Sequence, residues 1–197
     1  MKMVARGMWE WSWFSEEKQI DFNGHLLGVG EHRILVDPPP LSSTDLAQVR
    51  QGGAIDYILI SNRDHVREAQ TYQQEFQCQV YVPEPDAGEM AIQADKTFKD
   101  GELLPGGIWV VNLQGQKSAG ESALFIQQGK GIMIVGDALL GKPAGQVSLL
   151  PPEKYQSVDA AREGLQRLLK YQFDMLLVGD GTSVMTDAKS VVEKTLT

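Results

Sequence analysis

The sequence predicts an α/β fold assembled in two successive halves, each a set of strands followed by helices. Three observations point to it. The segment 56–69, DYILISNRDHVREA, opens on the apolar run 57–60, whose length and β-branched members suit a strand covered on both faces. The chain then turns polar, and Val66, Ala69, Tyr72 and Phe76 recur at spacings that keep one face of a following helix apolar. The second half repeats the scheme, with three apolar strands, an amphipathic helix, a further strand and a last helix.

Size and charge bound the possibilities. With 197 residues, 42% hydrophobic and 22% charged, the chain supports one substantial core, so residues 1–197 are expected to form one domain. A net charge of -8 and no cluster of Lys and Arg argue against nucleic-acid backbones or anionic membranes as partners. Residues 1–14 lack the apolar core and small-residue cleavage site of a signal peptide, and no run approaches the length of a membrane span. A cytoplasmic protein is the expectation. Cys78 is the sole cysteine, which excludes an intrachain disulfide, and its place beside Val80 and Val82 suits a buried thiol.

The elements follow in order. Trp9, Trp11 and Trp13 alternate with Glu10 and Ser12, the period of a strand with an aromatic face packed over a sheet. Asn23-Gly24 reads as a hairpin turn between 20–22 and 26–29, and Gly30-Glu31 as a second turn leading into 33–36, so the opening is an antiparallel meander. Asp37 ends it and Pro38-Pro39-Pro40 stiffens the exit. Ser42 or Ser43 caps a short helix through Arg50, stopped by Gln51-Gly52-Gly53. Asn62 is the N-cap of the helix after the central strand, which places Asp64 and His65 in its first turn, at the carboxyl end of a strand. A strand at 79–82, a short helical piece over 87–92 and a turn at Lys99-Asp100-Gly101 complete the first half. His25 and His32 lie in the meander, away from these strand ends, and read as surface or packing residues. Strands follow at 108–113, 123–127 and 131–135. Ser157 caps a helix whose Val158, Ala161, Leu165, Leu168 and Leu169 share one face; a strand at 174–178 and a final helix capped by Thr186 end the chain.

Four strand-end strings resemble the motifs of the metallo-β-lactamase superfamily, and the resemblance extends over nearly the whole chain. Ser61-Asn62-Arg63-Asp64-His65 is similar to the end of T-H-x-H-x-D-H, with the Asp-His pair kept and the two preceding histidines replaced. Residues 113–121 resemble the P-G-H-T-P-G-E loop, with Lys117 at its histidine. Gly136-Asp137-Ala138-Leu139 is the G-D-A-L motif, and Gly179-Asp180-Gly181 resembles G-H-G with Asp180 at the histidine. Asp37 stands at the end of the L-V-D-x-G strand, either supporting the site from below or accepting backbone hydrogen bonds in its turn. The resemblance implies the four-layer αβ/βα sandwich, with two mixed sheets flanked by helices.

The departures set the expected chemistry. The family's first metal site uses three histidines, whose positions here offer Asn62, a gap or mismatch, and Lys117, and an ammonium does not ligate a metal. The second site becomes Asp64, His65, Asp137 and Asp180, a set that suits at most one divalent ion, Mn²⁺, Fe²⁺ or Mg²⁺ more than Zn²⁺. The alternative is a site without metal, in which Lys117, flanked by Arg63 and Arg67, supplies the positive charge that crowded carboxylates need. Two functions follow. One is a metal-dependent hydrolase of a small ester, thioester or phosphoester, with Asp64 and Lys117 in catalytic roles and no β-lactamase activity. The other is a non-catalytic protein that binds a small anionic molecule or a partner through Lys117, Arg63 and Arg67. On either reading Lys117 is expected within salt-bridge distance of Asp137 or Asp180.

Overall fold

The computed structural model describes residues 1–197. Seven strands form the first sheet in simple chain order: β1 (Lys2–Ala5), β2 (Met8–Ser15), β3 (Ile20–Val29), β4 (His32–Val36), β5 (Tyr57–Leu59), β6 (Gln79–Pro83) and β7 (Lys96–Phe98). The second sheet holds β8 (Leu103–Leu104), β9 (Ile108–Asn112), β10 (Ser122–Ile126), β11 (Ile132–Val135) and β12 (Met175–Val178), and β12 lies at its edge beside β11. Both sheets are mixed. Strands β1 to β4 pair antiparallel and β4 to β7 parallel, and the second sheet is antiparallel except between β11 and β12.

Side-chain alternation along these strands builds the layers. Ile34, Val36, Tyr57 and Leu59 from the first sheet meet Leu124, Ile126, Ile132, Ile134 and Leu177 from the second in one core between the sheets. Their neighbours of opposite parity, Leu35, Ile58 and Val80, point outward against Val49 of α1 (Ser43–Gln51) and Ala69 and Tyr72 of α2 (Ala69–Phe76). Phe125, Met133, Val135 and Val178 do the same on the far side against Leu165 of α3 (Val158–Leu165) and Val192 and Leu196 of α4 (Ala188–Leu196). The layers therefore run helix, sheet, sheet, helix. Cys78 is buried in the outer core of the first sheet, and burial pushes its thiol up to about 11. No helix is long and apolar enough to cross a membrane.

Several expectations need correction. Asn23-Gly24 is not a turn: it lies inside β3, and the hairpin closes over residues 16–19, where Gln19 donates to the Ser15 carbonyl (2.8 Å). The pair serves close approach instead. A Cβ on Gly24 would collide with the Trp11 indole and the Pro39 ring, while the Asn23 carboxamide donates to the carbonyls of Val178 (2.9 Å), at the end of β12, and Gly181 (2.7 Å), just beyond it. Asn62 does cap, accepting from Asp64 N–H (2.9 Å), but what it caps is a single 3₁₀ turn, Arg63–His65. Arg67 then adopts a left-handed φ of 43°, which separates that turn from α2. The helical piece expected over 87–92 is a 3₁₀ stretch at Glu84–Glu89, and the 3₁₀ turn Gln166–Lys170 continues α3. Short β7 and β8 carry too few residues for a periodic signal. Thr186 does not cap α4. The cap position is Asp187, whose side chain makes no capping bond; Asp174 takes that role from across the fold, accepting from Asp187 N–H (3.0 Å) and, through its carbonyl, from Ala188 N–H (3.1 Å).

Candidate functional site

The site forms where the carboxyl ends of strands from both sheets meet. The β4 end gives Asp37, the β5 end gives Ser61 through Arg67, the β9–β10 loop gives Lys117, the β11 end gives Asp137 and the β12 end gives Asp180. Asp64, His65, Arg67, Lys117, Asp137 and Asp180 all line one cavity of about 600 Å³. Gly179 permits this convergence, because a Cβ there would strike the His65 ring.

His65 is the hub. Its Nδ1 lies 2.9 Å from Asp37 Oδ2 and its Nε2 lies 3.4 Å from Asp137 Oδ1. Burial and the Arg67 guanidinium push its pKa down, but Asp37, together with Asp137, overrides both and lifts it to about 10, so the ring is an imidazolium near neutral pH. Asp37 is itself fully enclosed, and despite that burial the charges of His65 and Arg67 hold its pKa below the usual carboxylate range. Ser61 anchors it through its backbone N–H (2.7 Å) and its hydroxyl (2.5 Å). Burial likewise opposes ionisation of Asp137, but His65 and Lys117 outweigh it and its pKa is lowered.

Two further cations face the remaining carboxylates. Lys117 Nζ lies 2.9 Å from Asp137 Oδ2 and 2.9 Å from Asp64 Oδ2. Arg67 Nη2 lies 2.7 Å from Asp180 Oδ1, over which burial dominates and raises the pKa. Below them Glu121 is buried, with Oε1 accepting from Ala138 N–H (3.2 Å) and Oε2 without a partner. Burial, added to the nearby charge of Asp137, raises its pKa well above the ordinary value.

The structure brings together most, not all, of the residues singled out from sequence. Donor atoms of His65, Asp137 and Asp180 lie within 4.8 Å of one another, a possible three-ligand cation site. Asp64, expected as a fourth ligand, stays outside that cluster on the rim, held by Lys117. Arg63 does not flank the site. Its guanidinium pairs with Glu89 on the surface, and only its backbone N–H contributes, donating to Asp86 (2.9 Å). His25 is buried against Glu10 (3.2 Å) and His32 is half exposed near Asp56 (3.8 Å), both outside the cavity.

Sequence reasoning passed over Ser61 and Glu121, although both stand within the strings that marked the site. It also missed Asp86, which accepts from Ser118 Oγ (2.7 Å), Gly120 N–H (2.8 Å) and Arg63 N–H and so staples the Lys117 loop to the 3₁₀ turn. The remaining cavity residues, Lys18, Lys142 and Lys154 beside Ile20, Phe22, Leu140, Leu150 and Pro151, come from a hairpin and a Pro-rich loop that carry no periodic pattern.

The donor set decides how a metal would fare. A two-ion centre does not fit, since the first position holds Lys117 and no histidine. At the second position the donors already face side-chain cations: Asp137 faces Lys117, Asp180 faces Arg67, and Arg67 Nη2 stands 3.4 Å from His65 Nε2. As arranged, these residues do not fit a bound metal.

Two facing mixed sheets between helix layers, with the site at strand ends of both sheets, define the class of protein. Solved structures share it. The chain is similar to a metallo-β-lactamase from Pontibacter korlensis at 16% identity, covering 99% of this chain and 95% of that one with a TM-score of 0.78. It is similar to the DIM-1 metallo-β-lactamase at 16% identity, over 98% and 96% of the two chains, with a TM-score of 0.76. It also resembles TTHA1623, solved in a di-iron-bound form, at 21% identity over 94% and 98%, with a TM-score of 0.72. None of the curated proteins matches the chain. The model of the metallo-β-lactamase superfamily matches residues 1–197, and the chain belongs to that superfamily.

Proposed function

We propose that this chain binds a small anionic molecule in its cavity, without a resident metal ion and in the cytoplasm. The fold is compatible with a metal-dependent hydrolase. The observation that carries the metal-free reading is the set of ion pairs in which three cations of the protein, Lys117, Arg67 and protonated His65, face the four carboxylates Asp64, Asp137, Asp180 and Asp37. The cavity lining then has a surplus of positive charge in Lys18, Lys142 and Lys154, although the whole chain carries -8. Such a local field raises the concentration of anions at the mouth. Ile20, Phe22, Leu140, Leu150 and Pro151 give the lining apolar surface as well, suited to an anion with an apolar body.

A second reading has one observation in its favour, the proximity of His65, Asp137 and Asp180, and makes the protein a one-ion hydrolase of an ester, thioester or phosphoester. Calorimetric titration of phenyl phosphate and of benzoate into chelator-treated protein separates the two. Saturable binding without metal, weakened by Lys142→Ala with Lys154→Ala and by added salt, is the expected result. Binding only after a divalent ion is added supports the hydrolase instead, and no binding under either condition overturns the proposal.

A further inference from the structure

We infer that the Arg67 guanidinium is the resident cation of the second metal position: it joins the two halves of the fold in place of an ion, and removing it uncovers a divalent-cation site. An ion ligated by His65, Asp137 and Asp180 would tie a turn of the first sheet to two strand ends of the second. Arg67 makes the equivalent connection with its fork of N–H donors. Nη1 donates to the carbonyls of Asn23 (2.7 Å) and Asp37 (3.0 Å), both from the first sheet. Nη2 donates to the Gly179 carbonyl (3.2 Å) and to Asp180 Oδ1 (2.7 Å), both beyond the end of β12 in the second. The Phe22 ring stacks on the guanidinium, 4.8 Å from its carbon to the ring centroid.

Arg67 also occupies the position of an ion. Nη2 stands 2.7 Å from the Asp180 donor atom and 3.4 Å from His65 Nε2, so it takes the space that an ion ligated by both would need. The backbone is bent to place it there. Arg67 has a φ of 43°, a conformation uncommon for a residue with a side chain, and the side chain is 8% exposed. A surface arginine would need neither feature.

This inference rests on the metal-free reading of the cavity but is tested apart from anion binding. Glycine accepts the left-handed φ at no steric cost, so Arg67→Gly removes the side chain without straining the backbone. Zn²⁺ and Mn²⁺ are titrated by calorimetry into the wild type and into Arg67→Gly, and unfolding midpoints are recorded with and without each ion. The wild type is expected to show no saturable divalent binding and no shift. Loss of a buried charged partner lowers the midpoint of Arg67→Gly by roughly 6 °C or more, and the variant gains one divalent site per chain that raises the midpoint again. A wild type that binds one ion with Arg67 intact overturns the inference, as does a folded Arg67→Gly that binds none. If Arg67→Gly does not fold, Arg67→Gln is measured against the same two outcomes. Phenyl phosphate binding to the wild type is scored separately, so either reading can fail alone.

Discussion

Replacing Lys117 by Met removes the ammonium that stands 2.9 Å from both Asp64 and Asp137 while keeping most of the apolar stem. The two arms are unequal. Asp64 is 41% exposed, and an exposed pair contributes about 1 kcal/mol or less. Asp137 is 9% exposed, and breaking a wholly buried pair costs about 3 to 5 kcal/mol, which must be discounted here because the Lys117 side chain is 30% exposed. The expected loss is therefore about 2 to 3 kcal/mol, roughly 4 to 12 °C in the unfolding midpoint for a chain of this size. Burial pulls the Lys117 pKa down, but Asp137 and Asp64 raise it above 10.5. Its contribution is thus full below that value and lost only as pH rises beyond it, so the assay belongs at pH 7, where thermal and urea unfolding of Lys117→Met are compared with Asp64→Asn. An unchanged midpoint in Lys117→Met, or a loss in Asp64→Asn as large as its own, would refute the assignment of the buried arm to Asp137.

Other consequences are equally direct. Glu10 is buried, which opposes its ionisation, yet His25, Lys2 and Ser183 hold its pKa at about 2 against 4.5 unfolded; this contribution is present above pH 4.5 and is lost as pH falls toward 2. Glu10→Gln should flatten the acid dependence of stability in that window, and an unaltered dependence would show that other carboxylates dominate it. At α4, Thr186→Ala should change stability by no more than about 0.5 kcal/mol, because Thr186 makes no cap, whereas Asp174→Ala should cost about 1 kcal/mol. Urea midpoints of the two variants check this, and a larger loss at Thr186 would contradict it.

The layers were legible because strand parity is written in the residues: the alternation of Ile34, Leu35 and Val36 and of Leu124, Phe125 and Ile126 assigns each side chain to a face before any contact is known. The site was legible as strings at strand ends, since open α/β sheets collect chemistry there. What stayed hidden depends on contacts distant in sequence. Asn23-Gly24 has the letters of a turn, yet its carboxamide reaches Val178 and its missing side chain admits Trp11, neither of which is near in the chain. Arg63 and Arg67 look alike as flanking cations. Only the left-handed backbone at Arg67 turns one of them inward, while Arg63 finds Glu89 outside. The capping of α4 by Asp174 is a tertiary contact that no local signal encodes.

Side-chain cations, and not metal, hold the carboxylates of this site. Elemental analysis of the protein, purified without chelator and then dialysed against equimolar Zn²⁺, Mn²⁺ and Fe²⁺, tests it most directly. Far less than one metal ion per chain is expected, and one or two ions held per chain would overturn the metal-free reading.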